Sequence, residues 1–299
     1  MISLPKIETI LQDLTADIQK VRGVSAIVLG GSRARGTHTA GSDIDLGIYY
    51  DPLQPLDLQA LSEVARRFDD QHRTDILTQP GSWGHLINGG GWIKINSIPV
   101  DFLYRDLDKV RAVITECLQG KVEMAYQPGH PNGFVSSMYL SKVAICKVLW
   151  KGPELVHSTL KSQVIPYPTT LLQALIEKFA WEIEFTLLFT PKAISRMDVP
   201  YASGCCYRIA AYMQQTLFAL NKQYCLKEKG AVAILENLTL VPKNFQIRIE
   251  AAFRPIENQN EGLNRALKIL TELALETGAL VKNFTEAQSL AQFPLIYKN

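Results

Sequence analysis

The apolar positions change their period several times along the first 120 residues. Ile7, Ile10, Leu11, Leu14, Ile18 and Val21 recur at helical spacing, so residues 5–22 are expected as an amphipathic helix that Gly23 ends. "VSAIVLG" (24–30) is short, apolar and β-branched, the pattern of a buried strand. "SDIDLGIYY" (42–50) alternates, with Ile44, Leu46 and Ile48 on one face and Asp43, Asp45 and Gly47 on the other. Residues 57–70 carry Leu58, Leu61, Val64, Ala65 and Phe68 on one helical side, and "TDILT" (74–78) reads as a further strand. Residues 89–106 predict two strands around a turn at Asn96–Ser97. In the second of them Val100, Phe102 and Tyr104 alternate with Asp101 and Leu103, and a helix over 107–119 follows.

The stretch "YQPGHPNG" (126–133) is dense in Pro and Gly and reads as a linker. Beyond it the period is helical: 134–147, 153–164, 168–189, 203–222, 243–253 and 262–283, punctuated by Pro166, Pro168, Pro191, Pro200 and Pro242. The expected architecture is an α/β (α+β) N-terminal domain with a mixed sheet (1–125), a linker (126–133) and an all-α C-terminal domain (134–299).

Composition changes this picture little. Of 299 residues, 47% are hydrophobic and 20% charged, which is enough apolar chain for a real core. The formal net charge is +2, with no basic stripe, so no nucleic-acid partner is expected. No apolar run approaches the ~20 residues of a membrane span, and "MISLPKIETILQDLTADIQK" lacks a signal-peptide layout, so a cytoplasmic protein without membrane contact is expected. Cys117, Cys146, Cys205, Cys206 and Cys225 form no C-x-x-C pair and read as reduced core thiols. The histidines are scattered, so a soft-ligand metal site is not expected, whereas a carboxylate-held metal stays open. Trp83, Trp92, Trp150 and Trp181 read as core residues.

The candidate chemistry lies in "LGGSRARGTHTAGSDIDL" (29–46). Asp43 and Asp45, at i and i+2 of a strand, leave the same face, where two carboxylates repel each other. A hard divalent ion such as Mg²⁺ relieves that repulsion and keeps positions for substrate phosphates. Just upstream, a strand ends in Gly30-Gly31-Ser32, where small residues let a phosphate approach the backbone and Ser32 adds a hydroxyl. Asp101 lies on a later alternating strand and joins the pair if that strand is adjacent. Arg33, Arg35 and Ser42 share the loop and are candidate nucleotide contacts, as is Lys142 on a later helix; each has an ordinary surface or turn role as its rival. Glu182, beside Trp181, and Asp198, near Tyr201, are candidate acceptor contacts; for Asp198 a helix N-cap role is equally open.

"GGS…SDIDL…PVDF" resembles the nucleotidyltransferase superfamily typified by DNA polymerase β, with the match on Gly31, Ser32, Asp43, Asp45 and Asp101. "SRMDVPY", "LFALNKQYCLKEKGAV" and the Arg33/Arg35 stretch are similar to the bacterial branch that includes antibiotic nucleotidyltransferases. The resemblance implies two Mg²⁺ ions on Asp43, Asp45 and Asp101, ATP or another NTP as donor, and transfer of a nucleoside monophosphate, AMP in the first instance, to a hydroxyl of a small-molecule acceptor. Transfer to a protein side chain, and a nucleotide- or partner-binding module without turnover, stay open beside it.

Overall fold

The computed structural model describes residues 4–152, 156–254 and 260–292. Its contacts divide the chain into two units: Met1–Leu118 with Glu123–Gly129 and Gly133–Pro166, and Gln119–Val122 with His130–Asn132 and Tyr167–Asn299.

The first unit is built on a five-stranded mixed sheet. Its strands are β1 (Val24–Leu29), β2 (Ile44–Tyr50), β3 (Gly90–Ile95), β4 (Ile98–Asp106) and β7 (Lys147–Lys151), in the order β3-β4-β2-β1-β7. β2 and β4 run parallel; the other neighbours are antiparallel. Helices α1 (Leu4–Ile18) and α3 (Leu58–Phe68) cover one face. There Ile10, Leu14 and Ile18 of α1 and Leu61, Val64 and Ala65 of α3 join Ile27, Ile44, Leu46, Val100 and Phe102 in one core. The short α2 (Gly31–Arg35) follows β1, and α4 (Leu107–Leu118), α5 (Ser137–Ile145) and α6 (Val156–Val164) complete the unit. The mixed α/β architecture expected from the sequence is present.

Asn96 and Ser97 both have positive φ (53° and 66°), as the expected tight hairpin turn requires, and the Asp70 carboxylate accepts from both of their backbone N–H groups at 2.7 Å. Residues 74–78, in contrast, are not a strand. His72 and Asp75 are left-handed (φ 51° and 57°), which breaks the extended run, and the segment is tied to β3 instead by Asp70 N to Lys94 O and Thr78 N to Gly90 O.

The 126–133 segment is also not a bare linker. β5 (Met124–Gln127) and β6 (His130–Val135) pair as a two-stranded sheet around Gly129 (φ 83°), so the Pro/Gly density marks a turn. The expected helix 134–147 is shortened to α5, because its N-terminal end is strand β6 and its C-terminal end leads into β7. β7 extends the sheet beside β1, and α5 and α6 fall within the first unit. The first residues of the expected helix 153–164 lie outside the described residues.

The second unit is helical: α7 (Thr169–Ser195), α8 (Val199–Leu220), α9 (Ala231–Leu235), α10 (Phe245–Phe253) and α11 (Asn260–Gln292). From Ile209 to Leu220 every residue of α8 is buried, which makes it the central helix. Asp198 caps its N-terminus, accepting from Tyr201 N at 3.2 Å, with Pro200 in the first turn.

Candidate active site

β1 leads straight into α2 through Gly30, and the Gly30 N–H donates to the Asp45 carbonyl at 2.8 Å. This hydrogen bond sets the start of α2 against β2. Gly31 has φ +59°. A Cβ there would collide with the Asp45 carboxylate and lie 2.6 Å from its Cγ. Only glycine leaves that space, so Gly31 and Asp45 are fitted to each other. Ser32 stands beside them, half-buried, and Gly36 (φ 82°) ends α2.

Asp45 and Asp101 are direct partners in register across β2 and β4. Paired residues on neighbouring strands point to the same face, and both are half-buried while the flanking Ile44, Leu46, Val100 and Phe102 are buried on the other face. The adjacency that the sequence left conditional is therefore real. Asp43 lies just before β2 and is exposed. Oxygen donors so close together suit a hard divalent cation by their chemistry. Among the described residues, however, no three His, Cys, Asp or Glu side chains are gathered as a metal-holding group.

The loop residues divide. Arg33 does not project outward: it is 7% exposed, and its Nε donates to the Asp43 carbonyl at 3.0 Å and its Nη2 to the Ser42 carbonyl at 2.5 Å. It is a strut that fixes the backbone leading into β2. The Ser42 hydroxyl accepts from Thr39 N at 2.9 Å and closes the turn before it. Arg35 is half-buried at the end of α2. Lys142 lies on α5 with its ammonium 5.3 Å from the Phe134 ring centroid.

Glu182 and Asp198 share one cavity of about 820 Å³ in the helical unit. Trp181, Phe185 and Phe189 of α7 and Tyr201, Tyr207 and Arg208 of α8 also line it. Trp181 stacks on Phe185 (centroids 4.8 Å, 20°), and Phe185 meets Phe189 edge-on at 4.7 Å. Burial foremost pushes the Tyr212 phenol up to about 12; Arg208 opposes the shift and Glu182 adds to it. Tyr207 Oη donates to Glu228 Oε2 at 2.6 Å.

Two of the tryptophans read as core are not. Trp181 is 58% exposed on the cavity wall. Trp92 is 57% exposed, stacks on Trp83 (4.7 Å, 19°) and is the register partner of Asp101. The sequence did carry a sign of this: Trp92 stands one residue before the alternation Ile93–Lys94–Ile95, which puts it on the polar face.

Residues 6–115 match the family model described as "Nucleotidyltransferase domain". The match covers the part of the chain that carries Gly31, Ser32, Asp43, Asp45 and Asp101, and supports a nucleotidyltransferase domain there. No curated protein is significantly similar to it in sequence. Among solved structures, a nucleotidyltransferase-like protein from Exiguobacterium sibiricum 255-15 is similar at a TM-score of 0.41 and 11% identity, over 92% of this chain and 76% of that one. No described helix is long and apolar enough to cross a membrane.

Proposed function

We propose that the protein transfers a nucleoside monophosphate, AMP in the first instance, from a Mg²⁺-bound NTP to a hydroxyl of a small-molecule acceptor, releasing pyrophosphate. The observation that carries this reading is the register pairing of Asp45 with Asp101 beside the Gly30-Gly31-Ser32 turn, inside a nucleotidyltransferase domain. Gly30, Gly31 and Ser32 would meet the β- and γ-phosphates, and Arg35 and Lys142 would add positive charge. Asp45, Asp101 and Asp43 would hold Mg²⁺; when bound, the metal neutralises charge on the reacting phosphate and lowers the pKa of an attacking hydroxyl. Arg33 and Ser42 hold the Asp43 backbone in place. Asp101, at the β4 side of the pair, is suited to take the hydroxyl proton.

For the acceptor, the support is the helical cavity, whose volume and aromatic lining are those of a small-molecule site. Glu182 and Asp198 are its acidic contacts. Because Asp198 also caps α8, Glu182 is the freer of the two to meet a cationic or hydroxylated group. The reading agrees with a cytoplasmic enzyme of the small-molecule-modifying bacterial branch. Incubation with each α-labelled NTP, Mg²⁺ and a panel of hydroxylated antibiotics and metabolites tests it, through pyrophosphate release and label transfer. Label appearing on protein rather than on a small molecule would replace the acceptor class.

A further inference from the structure

Four residues form one row across the sheet of the first unit. Gly30 N donates to Asp45 O at 2.8 Å, Asp45 pairs with Asp101, and Asp101 pairs with Trp92. Side chains in such a row leave the same face. The burial pattern agrees, since Ile44 (0%), Val100 (0%) and Ile93 (1%), one residue along each strand, are buried on the opposite face. Trp92 therefore stands beside the carboxylates with 57% of its surface in water. Its ring is not loose: it stacks on Trp83, which lies over Gly90, where a Cβ would come 3.2 Å from the Trp83 ring. A large exposed aromatic on an edge strand is an association hazard that a sheet ordinarily avoids. Neither the core nor the hairpin turn uses the Trp92 ring.

Nucleotidyl transfer is an in-line exchange at the α-phosphorus. A bond forms from the acceptor oxygen to phosphorus, and the bond to the bridging oxygen breaks on the opposite side. The electron pair leaves with pyrophosphate, and the hydroxyl proton passes to a carboxylate and then to water. With pyrophosphate on the Gly31–Ser32 side of the Asp45–Asp101 pair, the acceptor comes from the other side, which is Trp92's. Resting on the transfer reading above, we infer that Trp92, backed by Trp83, is the acceptor contact supplied by the first unit, as the helical cavity is the one supplied by the second, and that the acceptor presents a ring whose face lies on the indole. An aromatic plane and the C–H face of a sugar share this chemistry. An acyclic alcohol has no face to offer.

The test uses the whole protein with Mg²⁺ and α,β-methylene-ATP, and three probes: tyramine (planar ring), glucosamine (sugar ring) and ethanolamine (no ring). Indole emission should be quenched by one or both ring probes and not by ethanolamine; the stronger of the two ring probes separates a planar from a sugar acceptor. Trp92→Ala should weaken that binding roughly tenfold or more, with affinity for the ATP analogue within about twofold of wild type. Trp92→Phe, which keeps a ring, should fall between. Melting curves of both variants confirm folding. Three results overturn the platform: no response to either ring probe, equal response to ethanolamine, or unchanged ring-probe binding in folded Trp92→Ala. Lost ATP-analogue affinity in that variant would also overturn it, by placing Trp92 on the donor. Pyrophosphate release by wild type from each NTP with Mg²⁺ and the acceptor panel, followed in parallel, reads the parent proposal. Release together with an indifferent Trp92 sinks the platform alone, and absence of release with every NTP sinks the parent.

Discussion

Arg33 and Asp43 are joined through the backbone: the Arg33 guanidinium, buried under the loop, donates to the Asp43 carbonyl at 3.0 Å and to its neighbour Ser42 at 2.5 Å. The side chain nearest in sequence to a phosphate turn is thus spent on holding the loop that delivers the aspartates. Charge-assisted hydrogen bonds of this kind contribute about 1.5–3 kcal/mol. Arg33→Ala is expected to lower unfolding free energy by about that amount in urea melts and to weaken Mg²⁺–NTP binding. Arg33→Lys, which cannot reach both carbonyls with a planar fork, should recover only part of either.

Gly31→Ala tests the fit between the turn and Asp45. The new Cβ meets the Asp45 carboxylate and sits at a left-handed φ. The backbone strain alone costs about 1–2 kcal/mol. NTP affinity measured by calorimetry should fall along with stability, because the carboxylate has to move. A variant with wild-type affinity would show that Asp45 is not used in the position seen here.

Asp101→Asn keeps the shape of the row and removes one charge. Mg²⁺–NTP should still bind, through Asp45 and Asp43, while turnover drops by roughly two to four decades. Single-turnover kinetics separate the two effects, and near-normal turnover would remove Asp101 from the chemistry.

Asp69 gives a pH prediction away from the site. It is 1% exposed and accepts from Arg73 Nε at 2.9 Å, Arg73 Nη2 at 2.7 Å and Lys94 N at 3.0 Å. The Arg73 hydrogen bonds, helped by the backbone donors and opposed by desolvation, hold its carboxyl well below the usual carboxylate range. A depressed folded-state pKa means that the stabilisation is complete above about pH 4 and is lost as pH falls below it. Urea melts between pH 7 and pH 3 should show this loss, and Asp69→Asn, already destabilised by about 2–3 kcal/mol at pH 7, should show less of it.

Much of the sheet was legible because its strands alternate cleanly and its hairpin turn is built from Asn96 and Ser97, residues that tolerate left-handed backbone. The Asp45–Asp101 pairing was legible only as a condition, since strand order is a long-range property that no local period encodes. β7 was missed for the same reason: "KVLWK" becomes a strand because it finds the β1 edge more than a hundred residues earlier. Residues 74–78 went the other way, where left-handed Asp75, with left-handed His72 just before the segment, outweighs an apolar pattern. Glu182 and Asp198 were singled out as acidic groups beside aromatics, and the packing of α7 on α8 brings them to one cavity. For Arg33 the sequence shows the charge, which suggests a phosphate contact, and not the burial that ties its guanidinium to the Ser42 and Asp43 carbonyls.

The most direct measurement follows pyrophosphate from each of the four NTPs with Mg²⁺ and an acceptor panel, for wild type and Asp45→Asn side by side. The account predicts Mg²⁺-dependent release matched by label on an acceptor, abolished by EDTA and by Asp45→Asn. Binding of NTP with no pyrophosphate from any of the four, or release undiminished in Asp45→Asn, would contradict it.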